Sequence, residues 1–178
     1  MFALCDQRCF YASCERIFRP DLRGRPVAVA SNNDGCVVTL SPEAAACGLV
    51  KFAPVFKQKA IIRQHDIAVF SSNYELYGEV SRRIMTDLAK DVPLIEIYSI
   101  DEAFCDFTGI ADPKALAARL RQKIWRNQRI PMGVSVAPTK TLSKLGQYAT
   151  KKINQLQGVC VLAEPHQWQW LAAHTPVS

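Results

Sequence analysis

The stretch from Leu94 to Phe107 constrains the fold of this chain more than any other. Two apolar runs flank residues 99–102, a pattern typical of a β-hairpin with carboxylates at its turn. Along a regular strand neighbouring side chains point to opposite faces, so Asp101 and Glu102 can converge only at a hairpin tip or a bulge. Two close anions stay ionised together when a cation lies between them, and a hard divalent cation takes oxygen ligands. A bare Asp-Glu pair is more often a solvated acidic turn, so the rest of the chain has to decide between these two interpretations.

A short apolar run, Phe2–Cys5, predicts a buried strand that delivers Asp6 at its end. After a long insertion, the pattern continues as helix, hairpin, helix, strand, helix and strand. Without the insertion, this order is close to the β-α-β-β-α-β arrangement, in which helices cover one face of an antiparallel sheet. The strand that ends at Asp6 would pair centrally in this sheet, beside the hairpin. The topology therefore predicts an α+β fold in which Asp6, Asp101 and Glu102 converge.

Capping residues and apolar spacing predict the helices around the hairpin. The sequence from Ser72 to Glu75 has the form of a capping box, and an apolar stripe at i+4 spacing follows it: Leu76, Val80, Ile84 and Leu88. A helix over about residues 139–153 carries Lys140, Lys144 and Lys151 on a different side from its apolar residues. Three lysines in register can serve solubility alone, but a row beside a metal site would suit a polyphosphate.

Two segments give weak signals of secondary structure. Residues 50–64 have weak periodicity, so we expect an irregular connection there. From Glu164 onward the chain is interrupted by Pro, His and Trp and shows no clear capping signal.

Composition excludes several classes of protein and leaves nucleic-acid binding open. The net charge of +6 is a modest basic excess, compatible with nucleic acid. Seven cysteines occur without a C-x-x-C pair, and the three histidines are scattered, so we expect neither a zinc site nor a catalytic histidine. No apolar run reaches the ~18 residues of a membrane helix, and the first residues lack a basic leader. We therefore expect a cytoplasmic protein without membrane contact.

Four motifs, in their order along the chain, resemble the Y-family translesion DNA polymerases. They are Asp6-Gln-Arg-Cys-Phe10-Tyr11-Ala-Ser-Cys-Glu15, Ser31-Asn-Asn-Asp-Gly-Cys36, Ser71-Ser-Asn-Tyr-Glu-Leu-Tyr77 and Tyr98-Ser-Ile-Asp-Glu-Ala-Phe-Cys-Asp106. The resemblance is closer to the UmuC branch, the catalytic subunits of bacterial SOS mutagenic polymerases. It runs nearly without gaps from Met1 to about Val177 and covers only the N-terminal palm and fingers part of such an enzyme.

The resemblance implies a ferredoxin-like split β-α-β palm with an antiparallel sheet and an inserted small fingers domain. Residues 1–10 and 71–165 would form the catalytic palm, residues 11–70 the fingers, and residues 166–178 the start of a truncated thumb. The thumb and little finger grip the duplex in this family, and phosphate contacts supply most non-specific DNA affinity. We therefore expect this chain alone to bind primer-template DNA poorly.

The resemblance also implies the catalytic residues and their metal. Asp6, Asp101 and Glu102 would hold two Mg²⁺ ions, for which Mn²⁺ can substitute. One ion would activate the primer 3′-hydroxyl, and both would stabilise the phosphoryl group in transfer. This chemistry needs carboxylates and no histidine, in agreement with the composition.

The substrate contacts follow from the same resemblance. Tyr11 matches the steric gate, whose ring would clash with a ribose 2′-hydroxyl, and Phe10 would stack beneath the sugar or base. Lys151 matches a lysine that contacts the triphosphate, and Lys140 and Lys144 lie on the same helix face.

The chain departs from the family pattern at three positions. Arg8 stands where the family usually has Asp or Asn, and its cation would either weaken the second metal site or turn outward. Ala45 and Pro42 stand where the family usually offers a cation and a tyrosine. At least one charge-assisted phosphate contact, worth roughly 1.5–3 kcal/mol, is therefore missing unless Lys51 or Arg16 compensates.

Two functions of different classes remain open at this point. The first is a UmuC-like DNA-directed DNA polymerase core that transfers nucleotides from dNTPs under template direction in SOS DNA damage tolerance and mutagenesis. Its implied partners are primer-template DNA, a UmuD-like protein, and a recombinase filament or sliding clamp. The second is a truncated, non-catalytic relative that acts through protein or DNA binding. A nucleotide cyclase is disfavoured because no Gly-Gly-Asp-type hairpin is present.

Overall fold

A computed structural model of the protein describes residues 1–176. The chain divides into two compact units: unit 1 comprises Met1–Arg8 with Ser81–Ser178, and unit 2 comprises Cys9–Val80. The palm and fingers boundaries expected from the resemblance, at residues 10 and 70, stay a prediction. Residues 166–176, which are expected to begin a thumb, belong to unit 1. Residues 177–178 lie outside the described residues. In the described part of the chain, no helix is long and apolar enough to cross a membrane.

The secondary structure alternates between the two classes along the whole chain. In chain order the elements are β1 (Phe2–Gln7), α1 (Phe10–Ile17), β2 (Val27–Ala30), β3 (Val37–Leu40), α2 (Pro42–Ala46), α3 (Lys59–Gln64), β4 (Ala68–Ser71), α4 (Tyr74–Ala89), β5 (Ile95–Ile97), β6 (Glu102–Asp106), α5 (Pro113–Gln128), β7 (Met132–Ala137), α6 (Lys140–Lys152), β8 (Val159–Val161) and α7 (Pro165–Ala173). Short 3-10 turns lie at Pro20–Leu22, Val55–Gln58 and Asn154–Leu156.

Unit 1 is built on a five-stranded sheet with the order β5-β6-β1-β7-β8. Strand β1 is central and pairs antiparallel with β6 and β7, while β5 and β6 form the predicted hairpin. The pair β7–β8 is parallel, which requires a crossover, and α6 provides it. The α+β class, the antiparallel pairing of β1 and its central place are thereby confirmed.

Helices cover both faces of this sheet at β7, where all six residues are buried. One face carries the side chains of Cys5 and Cys105, whose buried thiols lie 3.9 Å apart. On the opposite face α6 packs closely, since a Cβ added to Gly146 would lie 2.8 Å from the Ser135 Cβ. The sequence interpretation placed the helices on one face only. The structure adds α6 on the second face because the parallel β7-α6-β8 crossover continues beyond the split β-α-β pattern.

Unit 2 contains a three-stranded sheet of order β3-β2-β4, in which β2 is antiparallel to β3 and parallel to β4. Its buried core is formed by small and branched apolar side chains: Ala28, Val37, Leu40, Ala44, Leu49 and Ile67.

Three local expectations from the sequence were wrong. Residues 55–64 are regular rather than irregular, because a 3-10 turn leads directly into α3, whereas residues 50–54 form the expected irregular connection. The chain end forms α7, which begins with a capping box between Glu164 and Gln167. At α4 the Leu76 N–H donates to Asn73 Oδ1 at 3.1 Å, so Asn73 caps the helix, whereas the Ser72 hydroxyl donates to the Ala30 carbonyl.

Candidate active site

The pairing of β1 with β6 brings the predicted carboxylates to one end of the central strands. Asp6 and Glu102 are directly opposite each other in the antiparallel register, and therefore lie on the same face of the sheet. Asp101 immediately precedes β6, and its backbone carbonyl accepts the Gln7 N–H at 2.9 Å. The strand register thus brings Asp6 to the same end of the sheet as the adjacent pair Asp101 and Glu102.

Burial and like charges act together on Glu102. Burial raises the pKa of the Glu102 carboxyl above its ordinary value, and the negative charge of Asp6 adds to the rise. The ammonium groups of Lys144 and Lys151 act in the opposite direction, while Asp101 contributes a smaller increase. At Glu102 the negative charges of nearby carboxylates therefore outweigh the positive charges of the two lysines. An added cation would be stabilised there.

Two of the three carboxylates already have partners within unit 1. The Lys151 ammonium donates to the Asp6 carboxylate at 2.7 Å, and only 8% of the Asp6 side chain is exposed. The Ser99 hydroxyl donates to the Asp101 carboxylate at 2.8 Å. Accordingly, among residues 1–176 no three His, Cys, Asp or Glu side chains stand together as the ligands of one ion.

The donor set nevertheless fits a hard divalent cation. Its side chains offer carboxylate oxygens and no thiolate or imidazole, which is the preference of Mg²⁺. Burial first and then the charge of Asp6 raise the pKa of Glu102, and a cation bound beside it would favour its ionised form. A cation that binds Asp6 would compete with Lys151 for the same carboxylate. Asp6, Asp101 and Glu102 are therefore the residues that would hold the metal, and their assignment as ligands stays a prediction.

The lysine row of α6 is distributed along the sheet rather than gathered at one point. Lys151 lies at Asp6, and the Lys144 ammonium lies 3.8 Å from the ring centroid of Tyr98, next to the turn. Lys140 forms an ion pair with Glu96 on β5 and lies over apolar rings of the sheet. The structure thus brings Lys144 and Lys151 into the field of Glu102, whereas Lys140 is engaged elsewhere.

Arg8 turns toward α6. Its guanidinium donates to the Thr150 carbonyl at 2.6 Å and to the Thr150 hydroxyl oxygen at 2.8 Å. The adjacent Gln147 amide donates to the backbone carbonyls of Leu4 and Gly133, which joins α6 to β1 and β7. Arg8 therefore does not turn outward but braces the helix that carries Lys151, and its effect on a second metal stays a prediction.

This brace was missed by the sequence interpretation, although Gly133 was a signal. A Cβ at Gly133 would lie 2.8 Å from Gln147 Oε1 and 3.0 Å from Arg8 Nη2. A glycine inside a strand often marks a place where another group approaches the backbone closely.

The predicted nucleotide-facing aromatic residues belong to unit 2. Phe10 is buried, and the ring of Tyr11 stacks on Tyr77 with centroids 4.3 Å apart. The Tyr77 hydroxyl in turn donates to the Glu15 carboxylate at 2.7 Å. The stacking fixes the ring of Tyr11, and the roles of Phe10 and Tyr11 toward a nucleotide stay predictions.

The two cations proposed to compensate for Ala45 differ in their surroundings. Arg16 forms an ion pair with Glu43 at 2.8 Å and also donates to the Arg25 carbonyl, so its charge is already engaged. Lys51 is exposed. Of the two, Lys51 retains the accessible charge that a phosphate contact needs.

Comparison with known proteins gives three findings. The family model described as "IMS: impB/mucB/samB family" matches residues 5–147. The chain is 49% identical over 181 residues to the protein UmuC of Salmonella typhimurium, covering 99% of this chain and 43% of that protein. It is 34% identical over 163 residues to DNA polymerase IV of Oceanobacillus iheyensis, covering 88% of this chain and 38% of that protein. The chain thus spans less than half the length of these relatives.

A solved structure with the same fold is described as the insertion ternary complex of Dbh DNA polymerase. It superposes with a TM-score of 0.82 at 29% identity, covering 94% of this chain and 50% of that chain.

Proposed function

This chain belongs to the impB/mucB/samB family of Y-family polymerases, and on that premise we propose that it is the palm and fingers part of a UmuC-like translesion DNA polymerase. The proposed reaction is template-directed transfer of a nucleotide from a dNTP to a primer, by a two-metal mechanism, during SOS damage tolerance. The observation that carries the proposal is the register that sets Asp6 opposite Glu102, with Asp101 at the adjoining turn.

The residues divide the chemistry between them. Mg²⁺, when bound, supplies the acidification of the primer 3′-hydroxyl and the neutralisation of charge on the transferred phosphoryl group. Asp6, Asp101 and Glu102 would hold it. Lys151 and Lys144 lie on the neighbouring helix and would offer cations to the triphosphate, although Lys151 is paired with Asp6.

The proposed substrates and partners follow the family. Primer-template DNA and dNTPs are the substrates, with Tyr11 as the gate against ribonucleotides and Phe10 beneath the sugar or base. Mn²⁺ can replace Mg²⁺. A UmuD-like protein, a recombinase filament or a sliding clamp are the proposed protein partners. DNA affinity of this chain is expected to be low.

The test is calorimetric titration of a dNTP into the chain with and without Mg²⁺. We expect binding that needs Mg²⁺ in the wild type and is lost in Asp101→Asn, because the substitution removes one carboxylate charge. Asp106→Asn is the matched control, since Asp106 lies at the other end of β6, opposite Phe2 rather than Asp6, and accepts the Thr108 N–H. It should bind as the wild type does.

The engaged Arg16 and the missing cation at Ala45 favour the second candidate, a non-catalytic relative that acts by binding proteins or DNA. Absence of Mg²⁺-dependent dNTP binding in the wild type would support this candidate against the polymerase core.

A further inference from the structure

Arg8 ends the first segment of unit 1, and both its main chain and its side chain are held in place. The Arg8 N–H donates to the Pro131 carbonyl at 2.8 Å. A single guanidinium nitrogen, Nη2, makes both bonds to Thr150, at 2.6 Å to the carbonyl and at 2.8 Å to the hydroxyl oxygen. Thr150 is buried, so these bonds are partly shielded from water. Arg8 therefore connects the end of β1 to the last turn of α6 through directed contacts.

The Thr150 carbonyl is a site where a helix needs an outside donor. Helix α6 ends at Lys152, and the Ile153 N–H at its C-cap donates to the Ala149 carbonyl. The carbonyls that follow lie in the final turn, where donors from within a helix run out. The same end of a helix carries partial negative charge and favours a cation. Arg8 supplies both the donor and the positive charge, from a strand that is far away in sequence.

The Thr150 hydroxyl extends this contact to the sheet. It accepts from Arg8 and donates to the Gln147 carbonyl at 2.8 Å. The Gln147 amide donates in turn to the Leu4 carbonyl at 2.6 Å and to the Gly133 carbonyl at 3.0 Å. The network thus begins on β1, passes through α6 and returns to β1 and β7. It fixes the second half of α6 on the sheet.

Lys151 depends on this network because it directly follows Thr150. Its ammonium donates to the Asp6 carboxylate at 2.7 Å, while 47% of its side chain is exposed. A long lysine side chain loses much rotamer freedom when it is held in one place. An ion pair with a half-exposed lysine is therefore sensitive to how firmly the backbone below that lysine is held.

We propose that Arg8 is a positioning residue, which holds α6 through Thr150 so that Lys151 stays on Asp6. Arg8 thereby sets how much Mg²⁺ is needed before Asp6 exchanges its ammonium partner for a metal ion. This second statement rests on the proposed function, since it takes Asp6 as a metal ligand. The first statement concerns the chain without metal and can be tested separately.

The first experiment acetylates the lysines of the full chain with acetic anhydride in EDTA, and peptide mass spectrometry gives the rate at each position. We expect Lys151 to react roughly threefold faster in Arg8→Gln than in the wild type, a factor in keeping with a half-exposed ion pair. Lys152 is the next residue and is exposed, so its rate should not change. The rate of Lys123, which is paired with Asp91, should also stay the same if the unit remains folded.

Thr150→Val provides a second variant, which removes the hydroxyl and keeps the carbonyl that Arg8 contacts. It should accelerate Lys151 by a smaller factor. The matched control is Arg119→Gln, because Arg119 is an exposed arginine of a different helix, α5, and the same charge is removed. The proposal is overturned if Lys151 reacts at the wild-type rate in both Arg8→Gln and Thr150→Val. It is also overturned if Arg119→Gln has the same effect, or if Lys123 accelerates together with Lys151 in both variants.

The second experiment measures the Mg²⁺ concentration that gives half of the thermal stabilisation, each protein being compared with its own unfolding temperature in EDTA. We expect Arg8→Gln to need roughly threefold less Mg²⁺ than the wild type, because the competing ammonium is held less firmly. In the Lys151→Gln background, Arg8→Gln should have no further effect. A merely structural role of Arg8 would give the same change in both backgrounds, and such additivity would overturn the proposal.

The two measurements separate this proposal from the polymerase proposal. If the wild type shows no response to Mg²⁺ while the acetylation result stands, the assignment of Asp6 as a metal ligand is lost and Arg8 still positions Lys151. If Mg²⁺ stabilises the wild type but Arg8→Gln leaves the acetylation of Lys151 unchanged, only the role of Arg8 is lost.

Discussion

Lys151 is bound to Asp6 in unit 1, so any cation at Asp6 must displace an ammonium group. We expect Lys151→Gln to lower the stability of the chain by roughly 1 kcal/mol, because a half-exposed charge-assisted hydrogen bond is lost. The same variant should bind Mg²⁺ more tightly, since the competitor is gone, and should bind the dNTP less well. Thermal unfolding without and with increasing MgCl₂ measures the change in stability and the change in Mg²⁺ binding. Calorimetry measures the change in dNTP binding.

The adjacent Lys152→Gln is the control for this prediction. Lys152 is exposed, and removing its charge changes the overall electrostatics by the same amount. A Mg²⁺ response of Lys152→Gln equal to that of Lys151→Gln would mean that the Asp6 ion pair is not what limits metal binding.

Gly133 is a position where one methyl group should be costly. Gly133→Ala would bring a Cβ within 2.8 Å of Gln147, whose side chain is buried and hydrogen-bonded to the carbonyls of Leu4 and Gly133. We expect a loss of about 1–3 kcal/mol in urea unfolding. Gly78→Ala is the contrast: Gly78 lies in α4 with nothing within 4 Å of an added Cβ, so it should gain about 0.5–1 kcal/mol. Equal effects of the two substitutions would contradict the close packing at Gly133.

For single residues, the sequence predicted the carboxylates of the site but not the side chains that contact them. The position of Asp6 opposite Glu102 followed from strand order, since central pairing of the first strand leaves few alternatives. The partner of Lys151 did not, because a long lysine side chain reaches several acceptors and its choice depends on the tertiary packing of α6. The turn of Arg8 toward Thr150 depends on the same packing.

Helices α4 and α5 are joined through one buried carboxylate, Asp87. Burial alone would raise the pKa of Asp87, but hydrogen bonds from Gln128, Asn127 and Lys90 outweigh it and hold this pKa below its ordinary value. A carboxyl whose folded pKa is depressed stabilises the fold above its unfolded pKa, and this contribution is lost as the pH falls through the folded pKa.

We therefore expect Asp87→Asn to cost roughly 1–3 kcal/mol at neutral pH, because the charged acceptor of three donors is lost. The difference in unfolding free energy between the wild type and this variant should stay constant down to about pH 4 and shrink below it. Urea unfolding of both proteins over a pH series measures this. A difference that grows on acidification would contradict the depressed pKa.

Most elements were predicted, short strands included, but the 3-10 turn at Val55–Gln58, α3 and α7 were not. The hairpin of β5 and β6 and the helices α4, α5 and α6 have apolar spacing that fixes their type. The 3-10 turn at Val55–Gln58 and α3 depend on the buried side chain of Gln58, a long-range feature that periodicity does not register. The helix α7 was obscured by its Pro and Trp residues, although Pro at a first helical position favours a start.

Across the whole molecule the seven cysteines fall into two groups that differ in the burial of their side chains. Cys9, Cys36 and Cys47 are half-buried, whereas the others, Cys5, Cys14, Cys105 and Cys160, are buried. Burial also raises the pKa of Cys160 to about 11, so its reactive thiolate is scarce at pH 8.

We expect a thiol reagent at pH 8 to label three cysteines of the native chain and the remaining four only after unfolding in urea. Peptide mass spectrometry identifies the labelled positions. Rapid native labelling of Cys5 or Cys105, on the central strands, would contradict the pairing of β1 with β6.

The insertion of unit 2 between Arg8 and Ser81 has a consequence for how the protein is made. Strand β1 leaves the ribosome before unit 2, yet its partners β6 and β7 follow only after all of unit 2. Contacts so distant in sequence slow folding, and an apolar strand without partners is a hazard for misassembly meanwhile. The entropic cost of closing a loop grows only with the logarithm of its length. Unit 2 can therefore vary in size with little effect on the free energy of folding. Asp6 reaches Glu102 only when β1 pairs with β6. The acidic cluster therefore forms only once the central sheet has folded.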